Sequence, residues 1–152
     1  MAYSGMESTR LNISAASSSK GSVNVAIKLV RSIFMKGIAS LMIEMLEGAH
    51  AYGVAEEVVN SLSKSLDGTP FVSHLNRLVT GTGVHANRRG HELEGSIDLL
   101  KDAGVEPLMT VAAKASHEML VPFDFAEKFV DAAPTKWEQI VDPLLEEAKK
   151  RK

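Results

Sequence analysis

The sequence contains no cysteine, which excludes thiol catalysis, disulfide bonds and thiolate metal sites. Aromatic residues are also scarce, at 5% of the 152 residues with a single tryptophan, which argues against a surface that stacks nucleic-acid bases. The formal net charge of −2 provides no overall basic field for a nucleic acid. We therefore expect no nucleic-acid partner.

A long uncharged apolar run is absent as well. The most apolar stretch, residues 23–46, is interrupted by charged residues, and its longest charge-free window covers only residues 37–43. A membrane-spanning helix needs roughly 18 apolar residues. The first twenty residues are polar and rich in serine, without the apolar core of a secretory signal. These features predict a cytoplasmic protein with no membrane partner.

Common catalytic motifs are incomplete in this chain. No two of the five histidines have the i, i+4 spacing of a metal-binding helix, so we expect no metal site. Gly81-Thr82-Gly83 resembles the start of a dinucleotide-binding fingerprint, but no strand precedes it and Ala86 stands where the third glycine belongs. We interpret this segment as a connection between helices.

What the chain does have is the composition of an ordinary globular domain, with 45% apolar and 24% charged residues. Its length suits one domain with one core. The charge is divided unevenly: residues 1–91 contain 9 basic and 6 acidic side chains, a net +3, and residues 92–152 contain 8 basic and 13 acidic ones, a net −5.

The apolar periodicity predicts an all-α fold, because no run of alternating β-branched residues indicates a strand. Residues 1–21 are rich in serine and are interpreted as a flexible tail or the remnant of a linker, and residues 22–152 as one helical domain. Its first helix is predicted over residues 22–52 and ends at Gly53. Because this helix is apolar around most of its circumference, we expect it to lie at the centre of a multi-helix bundle.

Stop and start residues divide the rest of the chain into further helices. They are predicted at residues 55–66, 69–79, 85–102, 106–120 and 136–148, with a short segment at residues 123–130. Residues 80–83 are interpreted as a break between the third and fourth helices.

Polar residues on the first helix form one candidate site. At 100° per residue, a stripe of about 140° collects Asn24, Lys28, Arg31, Ser32 and Lys36. Two interpretations remain open at this point. The stripe is the solvent face of the helix, or it lines a cleft in which the lysine amine performs acid–base chemistry.

A second candidate site lies at residues 85–92, where two histidines and two adjacent arginines open a predicted helix. Guanidinium groups and free backbone N–H groups both favour oxyanions. We therefore expect His85, Arg88 and Arg89 to bind an anionic substrate. The alternative is that the two arginines pair with nearby glutamates on an exposed face.

Several blocks of the sequence follow the order and spacing of a known family. These blocks are residues 28–37, Glu44, residues 51–54, residues 85–92 and residues 102–109. Over residues 21–120 the chain resembles the C-terminal, NAD-binding helical domain of the phosphogluconate dehydrogenase and β-hydroxyacid dehydrogenase family. The resemblance implies a helical domain that follows a Rossmann domain and mediates the pairing of subunits.

The resemblance also implies a role for Lys28, which occupies the position of the active-site lysine on the long first helix. In the family this lysine acts as acid or base while hydride moves between the substrate and NAD or NADP. The motif has asparagine one turn later, where this chain has Ser32. Arg31 suits a small anionic substrate such as a carboxylate. The substrate-binding candidates on this helix are therefore Asn24, Arg31 and Ser32. No cofactor-binding residue is assigned.

Only twenty residues precede the region of resemblance, whereas a Rossmann domain needs on the order of 100 or more. We therefore expect a substrate-binding and dimerisation domain that works with a Rossmann domain in cis or in trans. Alone, the chain is expected to bind no NAD(P), to show no activity and to form a homodimer through surplus apolar surface. The alternative is a stand-alone helical homodimerisation or interaction module without catalysis.

Overall fold

A computed structural model describes residues 20–151, and side chains from residue 22 onward. Helices dominate this range, with no strand in it, so the prediction of an all-α fold is confirmed. The predicted tail lies outside the described residues, except that Lys20 and Gly21 already belong to the first helix. The α-helices are α1 Lys20–Ala51, α2 Ala55–Leu66, α3 Phe71–Val84, α4 Ala86–Asp102, α5 Leu108–Glu118, α6 Phe125–Lys128 and α7 Glu138–Lys150, with a 3₁₀ turn at Val121–Phe123.

Packing divides the chain into two compact units, Met1–Ala39 and Ser40–Lys152. The described part of the first unit is the beginning of α1. The second unit contains the last turns of α1, from residue 40 onward, together with helices α2 to α7. Neither α1 nor any other described helix is long and apolar enough to cross a membrane.

The described segment of the first unit exposes its apolar side chains. Val23 and Ile27 are each 57% exposed, Val30 is 65% exposed and Ile33 is 73% exposed. The expectation that α1 is buried on all sides is therefore wrong for this segment. A lone helix can bury an apolar surface only against another element, and the first unit has no second described element to cover it.

Two helix ends follow their predicted stop residues closely. Helix α2 spans Ala55–Leu66, the range that the sequence predicted. Gly53 after α1 and Gly68 after α2 adopt φ values of 70° and 76°. This left-handed backbone conformation suits glycine, which has no Cβ atom, and it ends a helix.

The helix break predicted at residues 80–83 is wrong, because α3 continues through these residues to Val84. The Thr80 hydroxyl donates a hydrogen bond to the Asn76 carbonyl at 2.8 Å, which satisfies its polar group inside the helix. At Gly83, a Cβ atom would lie 2.5 Å from Ile140 Cδ1 of α7. This glycine therefore permits close packing between α3 and α7.

The core of the second unit is small and lies between its helices. Its buried apolar residues are Ala49, Ala86, Leu100, Phe125 and Ile140. Helices α4 and α5 pack along each other, and α3 contacts α4, α6 and α7. Gly48 of α1 lies against Leu100 of α4, since a Cβ atom at Gly48 would be 2.5 Å from Leu100 Cδ2. The last turns of α1 thus belong to this core, unlike its beginning.

Candidate functional site

The cationic stripe predicted on α1 lies in the first unit. Lys28, Arg31 and Ser32 line a shallow depression of about 310 Å³ together with two apolar neighbours. Lys28 and Arg31 are exposed, and Ser32 is half-buried. Asn24 is exposed one turn earlier on the same helix. Helical geometry therefore brings these four side chains to a common face, while their roles stay predictions.

Charge of one sign distinguishes this segment. Residues 20–39 contain four basic residues and no acidic one. Within the part of the chain that the structure describes, Lys28, Arg31 and Lys36 make no ion pair with a carboxylate. Unpaired cations on an apolar helix produce a positive potential, which attracts a small anion.

Arg88 of the second candidate site pairs with an acidic neighbour in its own helix. Its guanidinium contacts the Glu92 carboxylate one turn later in α4, and the two side chains are 62% and 56% exposed. An exposed pair at this spacing stabilises a helix by only about 0.3–0.5 kcal/mol. The contact agrees with the alternative in which the arginines pair with nearby glutamates on an exposed face.

Arg89 is directed toward a different helix. Its Nη1 donates a hydrogen bond to the Thr82 hydroxyl at 2.8 Å, and a Cβ atom at Gly81 would lie 3.0 Å from its Nη2. Arg89 therefore joins the beginning of α4 to the end of α3. His85 is exposed at the single residue that connects these helices. An anion at this corner would compete with the contacts that both arginines already make.

No group of three or more His, Asp or Glu residues among residues 20–151 could hold a metal ion. An ion pair between Lys114 and Glu94 connects α5 to α4. The Lys114 ammonium contacts the Glu118 carboxylate and lies 3.4 Å from Glu94 Oε1. The hydrogen bond to Glu118 raises the pKa of Lys114, which desolvation opposes and Glu94 reinforces. This arrangement is a structural link between two helices.

Glu44 is a buried carboxylate whose role sequence analysis missed. It is 6% exposed. Its Oε2 accepts a hydrogen bond from Met109 N–H at 2.6 Å, and its Oε1 accepts bonds from Thr110 N–H at 2.8 Å and from the Thr110 hydroxyl at 2.5 Å. Burial by itself raises the pKa of this carboxyl, but these three hydrogen bonds lower it, and the net result is a pKa below the ordinary value.

The position of Glu44 explains its partners. Met109 and Thr110 open α5, and Pro107 before them offers no side-chain cap. The first N–H groups of a helix have no partner within the helix, and its amino end carries a partial positive charge. Glu44 of α1 therefore caps α5 from another helix. The sequence signal for it was a lone acidic residue inside an otherwise apolar helical stretch.

A groove in the second unit is lined mainly by apolar residues. It encloses about 700 Å³ between the end of α1, α2, α4 and α5. The Tyr52 hydroxyl at its wall donates a hydrogen bond to the Leu99 carbonyl at 3.0 Å, so this polar group is already satisfied. The groove is lined by Leu41, Met45, Gly48, Ala49, Tyr52, Val54, Val58, Glu92, Leu93, Gly95, Ser96, Leu99, Leu100 and Thr110.

Part of the chain is similar in sequence to known proteins. Residues 49–120 match a family described as a domain of unknown function (DUF1932), which is under half of the chain. This range includes His85, Arg88 and Arg89, and it does not include Lys28. It extends from the last turn of α1 beyond the end of α5.

A protein of Methanothermus fervidus, described as an uncharacterized 28.5 kDa protein in the 7S RNA 5' region, is 25% identical over 88 residues. The similarity covers 58% of this chain and 35% of that protein. The chain thus spans about a third of the length of the curated relative that it matches. No solved structure matches the chain.

Proposed function

We propose that this chain is the substrate-binding and dimerisation domain of an NAD(P)-dependent hydroxyacid dehydrogenase related to phosphogluconate dehydrogenase. The family matched over residues 49–120 is known as the C-terminal helical domain of 3-hydroxyacid dehydrogenase-like proteins, which supports this assignment. The all-α architecture agrees with such a domain. The observation that carries the proposal is the Lys28 amine on the cationic stripe of α1, which makes no ion pair within the described residues and stands at the motif position of the family's lysine.

In this proposal Lys28 is the general acid or base of the reaction. A bound NAD or NADP would supply the hydride chemistry at the substrate carbon. As a hydroxy acid is oxidised, Lys28 would take the proton from the substrate hydroxyl, and in the reverse direction it would return the proton to the carbonyl oxygen. Residues 20–151 contain no strand–glycine turn–helix unit for a dinucleotide, so a Rossmann domain in cis or in trans would hold the cofactor.

Substrate recognition is proposed for the neighbours of Lys28. The planar guanidinium of Arg31 can bind a carboxylate through two parallel hydrogen bonds, and Asn24 and Ser32 offer polar groups on the same helix face. We propose a second anion-binding group that consists of His85, Arg88 and Arg89. To bind an anion, the two arginines would release their contacts with Glu92 and Thr82. The substrate class that fits is a small anionic hydroxy acid.

Dimerisation is proposed through the exposed beginning of α1. Its apolar side chains, up to 73% exposed at Ile33, present a surface that favours a protein partner. A two-fold homodimer is the commonest assembly among soluble oligomers. The same exposure favours the second candidate function, a helical association module without catalysis, because that function requires the apolar surface and no reactive lysine.

A reconstituted assay separates the two functions. The chain is combined with a Rossmann domain of a hydroxyacid dehydrogenase, as a fusion and as a mixture, and tested against small hydroxy acids with NAD⁺ and NADP⁺. The proposal expects turnover, and Lys28→Met should reduce kcat by about 10²–10⁴-fold. Lys36→Met, at the edge of the same stripe, is the matched control and should keep most of the activity.

Absence of turnover with every hydroxy acid, in a chain that still forms a dimer, would favour the association module. Turnover that Lys28→Met leaves unchanged would overturn the role of the lysine. Circular dichroism of both variants checks that helix content is preserved, which is expected because both lysines are exposed.

A further inference from the structure

A second cleft lies in the second unit, remote in sequence from Lys28. It encloses about 690 Å³ where the end of α5, the 3₁₀ turn and the last turns of α7 meet. This volume falls within the roughly 300–1,000 Å³ of small-molecule sites. Leu120, Phe123 and Leu144 form apolar walls, and Met119 stands at the rim with 71% exposure. The cleft therefore suits an apolar ligand group, which would cover the exposed apolar side chains of its walls.

The rim of this cleft carries a surplus of positive charge. The Glu147 carboxylate lies 3.2 Å from Lys150 Nζ and 4.0 Å from Arg151 Nε, so two cations share one anion. The Arg151 side chain is 75% exposed, and its Nη atoms have no partner within the described residues. The carboxyl end of α7 adds a negative partial charge of about one half. The two cations Lys150 and Arg151 together exceed the charge of Glu147 and of this helix end.

We propose that this cleft binds a medium-chain aliphatic carboxylate. The alkyl chain would lie against Leu120, Phe123 and Leu144, where its burial is driven by the hydrophobic effect. The carboxylate would accept two hydrogen bonds from the Arg151 Nη atoms, which have no partner within the described residues, in a geometry that arginine favours. A cationic amphiphile would meet the surplus positive charge, and a short acid would leave the apolar walls exposed. This binding is independent of the proposed dehydrogenase function.

The binding experiment titrates the full chain with decanoate, kept below its micelle-forming concentration. Isothermal titration calorimetry should show one saturable site, and NMR shift changes should centre on Leu120, Phe123 and Leu144. Acetate tests the need for the alkyl chain, and decylamine tests the need for the negative charge. Each should bind at least about tenfold more weakly than decanoate, the factor typical of one charge-assisted hydrogen bond or a few methylene groups.

Variants test the two halves of the site separately. Arg151→Gln should weaken decanoate binding by about tenfold, whereas Lys101→Gln, on a residue that does not line the cleft, should leave it unchanged. Ala148 is exposed at the wall of the cleft, so Ala148→Phe should fill it and abolish binding without unfolding the chain. Glu146→Phe, two residues earlier and outside the lining, is the matched control.

Three results would overturn the proposal. The first is the lack of saturable decanoate binding. The second is equal affinity for decanoate and decylamine, which would show that charge plays no part. The third is decanoate binding that persists in a folded Ala148→Phe variant, which would place the acid elsewhere on the chain.

Discussion

The two units of this chain have opposite net charges, and only the second buries an apolar core in its described residues. Residues 1–39 contain five basic residues and one acidic residue, a net +4, and residues 40–152 contain twelve basic and eighteen acidic residues, a net −6. Their sum reproduces the net charge of −2. The described part of the first unit buries none of the apolar side chains of its cationic helix. The second unit also exposes apolar side chains, such as Met119 and Val130, but it buries a small core and satisfies its buried polar groups.

This difference indicates where stability and where association should reside. Substitutions of buried or hydrogen-bonded residues in the second unit break contacts that the chain makes with itself, so they should change the free energy of unfolding. Substitutions of the exposed apolar and cationic side chains at the beginning of α1 change surface that the first unit leaves uncovered, so they should change association or catalysis instead.

The largest effect on stability is expected at Glu44. Glu44→Ala removes the acceptor for three hydrogen bonds and leaves the amino end of α5 without its cap. We expect a loss of about 3 kcal/mol in the free energy of unfolding, measured by urea denaturation followed by circular dichroism. Glu47→Ala, on an exposed residue of the same helix, should change stability by less than about 0.5 kcal/mol. Equal effects of the two changes would contradict the capping role.

The loss of stability at acid pH should depend on the same Glu44 carboxylate. The pKa of Glu44 is lowered in the folded chain, so its stabilising contribution is fully present above the ordinary glutamate pKa of about 4.3 and disappears as the pH falls through the lower, folded value. Glu44→Gln should therefore show a shallower decline in stability below about pH 4.3 than the unmodified chain. Parallel declines, measured by urea denaturation across this pH range, would show that other carboxyls dominate.

Association should depend on the beginning of α1. Ile33→Asp places a charge in the most exposed part of the apolar surface, and a two-fold dimer would contain the change twice. We expect the dimer dissociation constant to rise by about 100-fold or more, measured by sedimentation equilibrium. Val72→Asp is the control, since Val72 is also an exposed apolar residue, at 60%, but lies on α3 of the second unit. A monomeric unmodified chain at tens of micromolar would refute the dimer itself.

The arginines of α4 should affect substrate binding more than turnover. In the reconstituted enzyme, replacing Arg88 and Arg89 together by alanine should raise KM for an acidic hydroxy acid by about tenfold, with a smaller change in kcat. Arg77→Ala, on an exposed residue of α3, is the control and should leave KM unchanged. Unchanged KM in the double variant would support the purely structural role of these ion pairs and hydrogen bonds.

The smallest effect compares two helical glycines. A Cβ atom at Gly37 of the first unit would meet nothing within 4 Å, so Gly37→Ala should stabilise α1 by up to about 1 kcal/mol. Gly48 of the second unit lies against Leu100, so Gly48→Ala should destabilise the chain by about 1 kcal/mol or more. Thermal unfolding measures both changes. The same sign for both would show that packing does not distinguish the units.

Most helix positions could be predicted from the sequence, since they depend on local signals. Helix α2 has the predicted limits, and the glycines after α1 and α2 adopt the expected backbone conformation. The predicted break at residues 80–83 was wrong because a contact distant in sequence outweighs the local signal. Glycine and threonine weaken a helix locally, but Gly83 fits against Ile140 of α7, a contact 57 residues away in the chain.

The candidate site was predictable only in part. Helical periodicity alone places Asn24, Lys28, Arg31 and Ser32 on one face of α1, because residues three and four apart are neighbours in any α-helix. The partners of Arg89 could not be predicted in this way, because the Thr82 hydroxyl lies on another helix.

The amino-acid sequence by itself determined the all-α class, most helix limits, the cationic stripe and the uneven charge, since these follow from composition and from neighbours along the chain. Tertiary structure alone decided that Glu44 caps α5, that α3 continues through two glycines and that the beginning of α1 exposes its apolar side chains. The physical reason is that burial and hydrogen bonding are set by residues distant in sequence, which periodicity along one helix cannot specify.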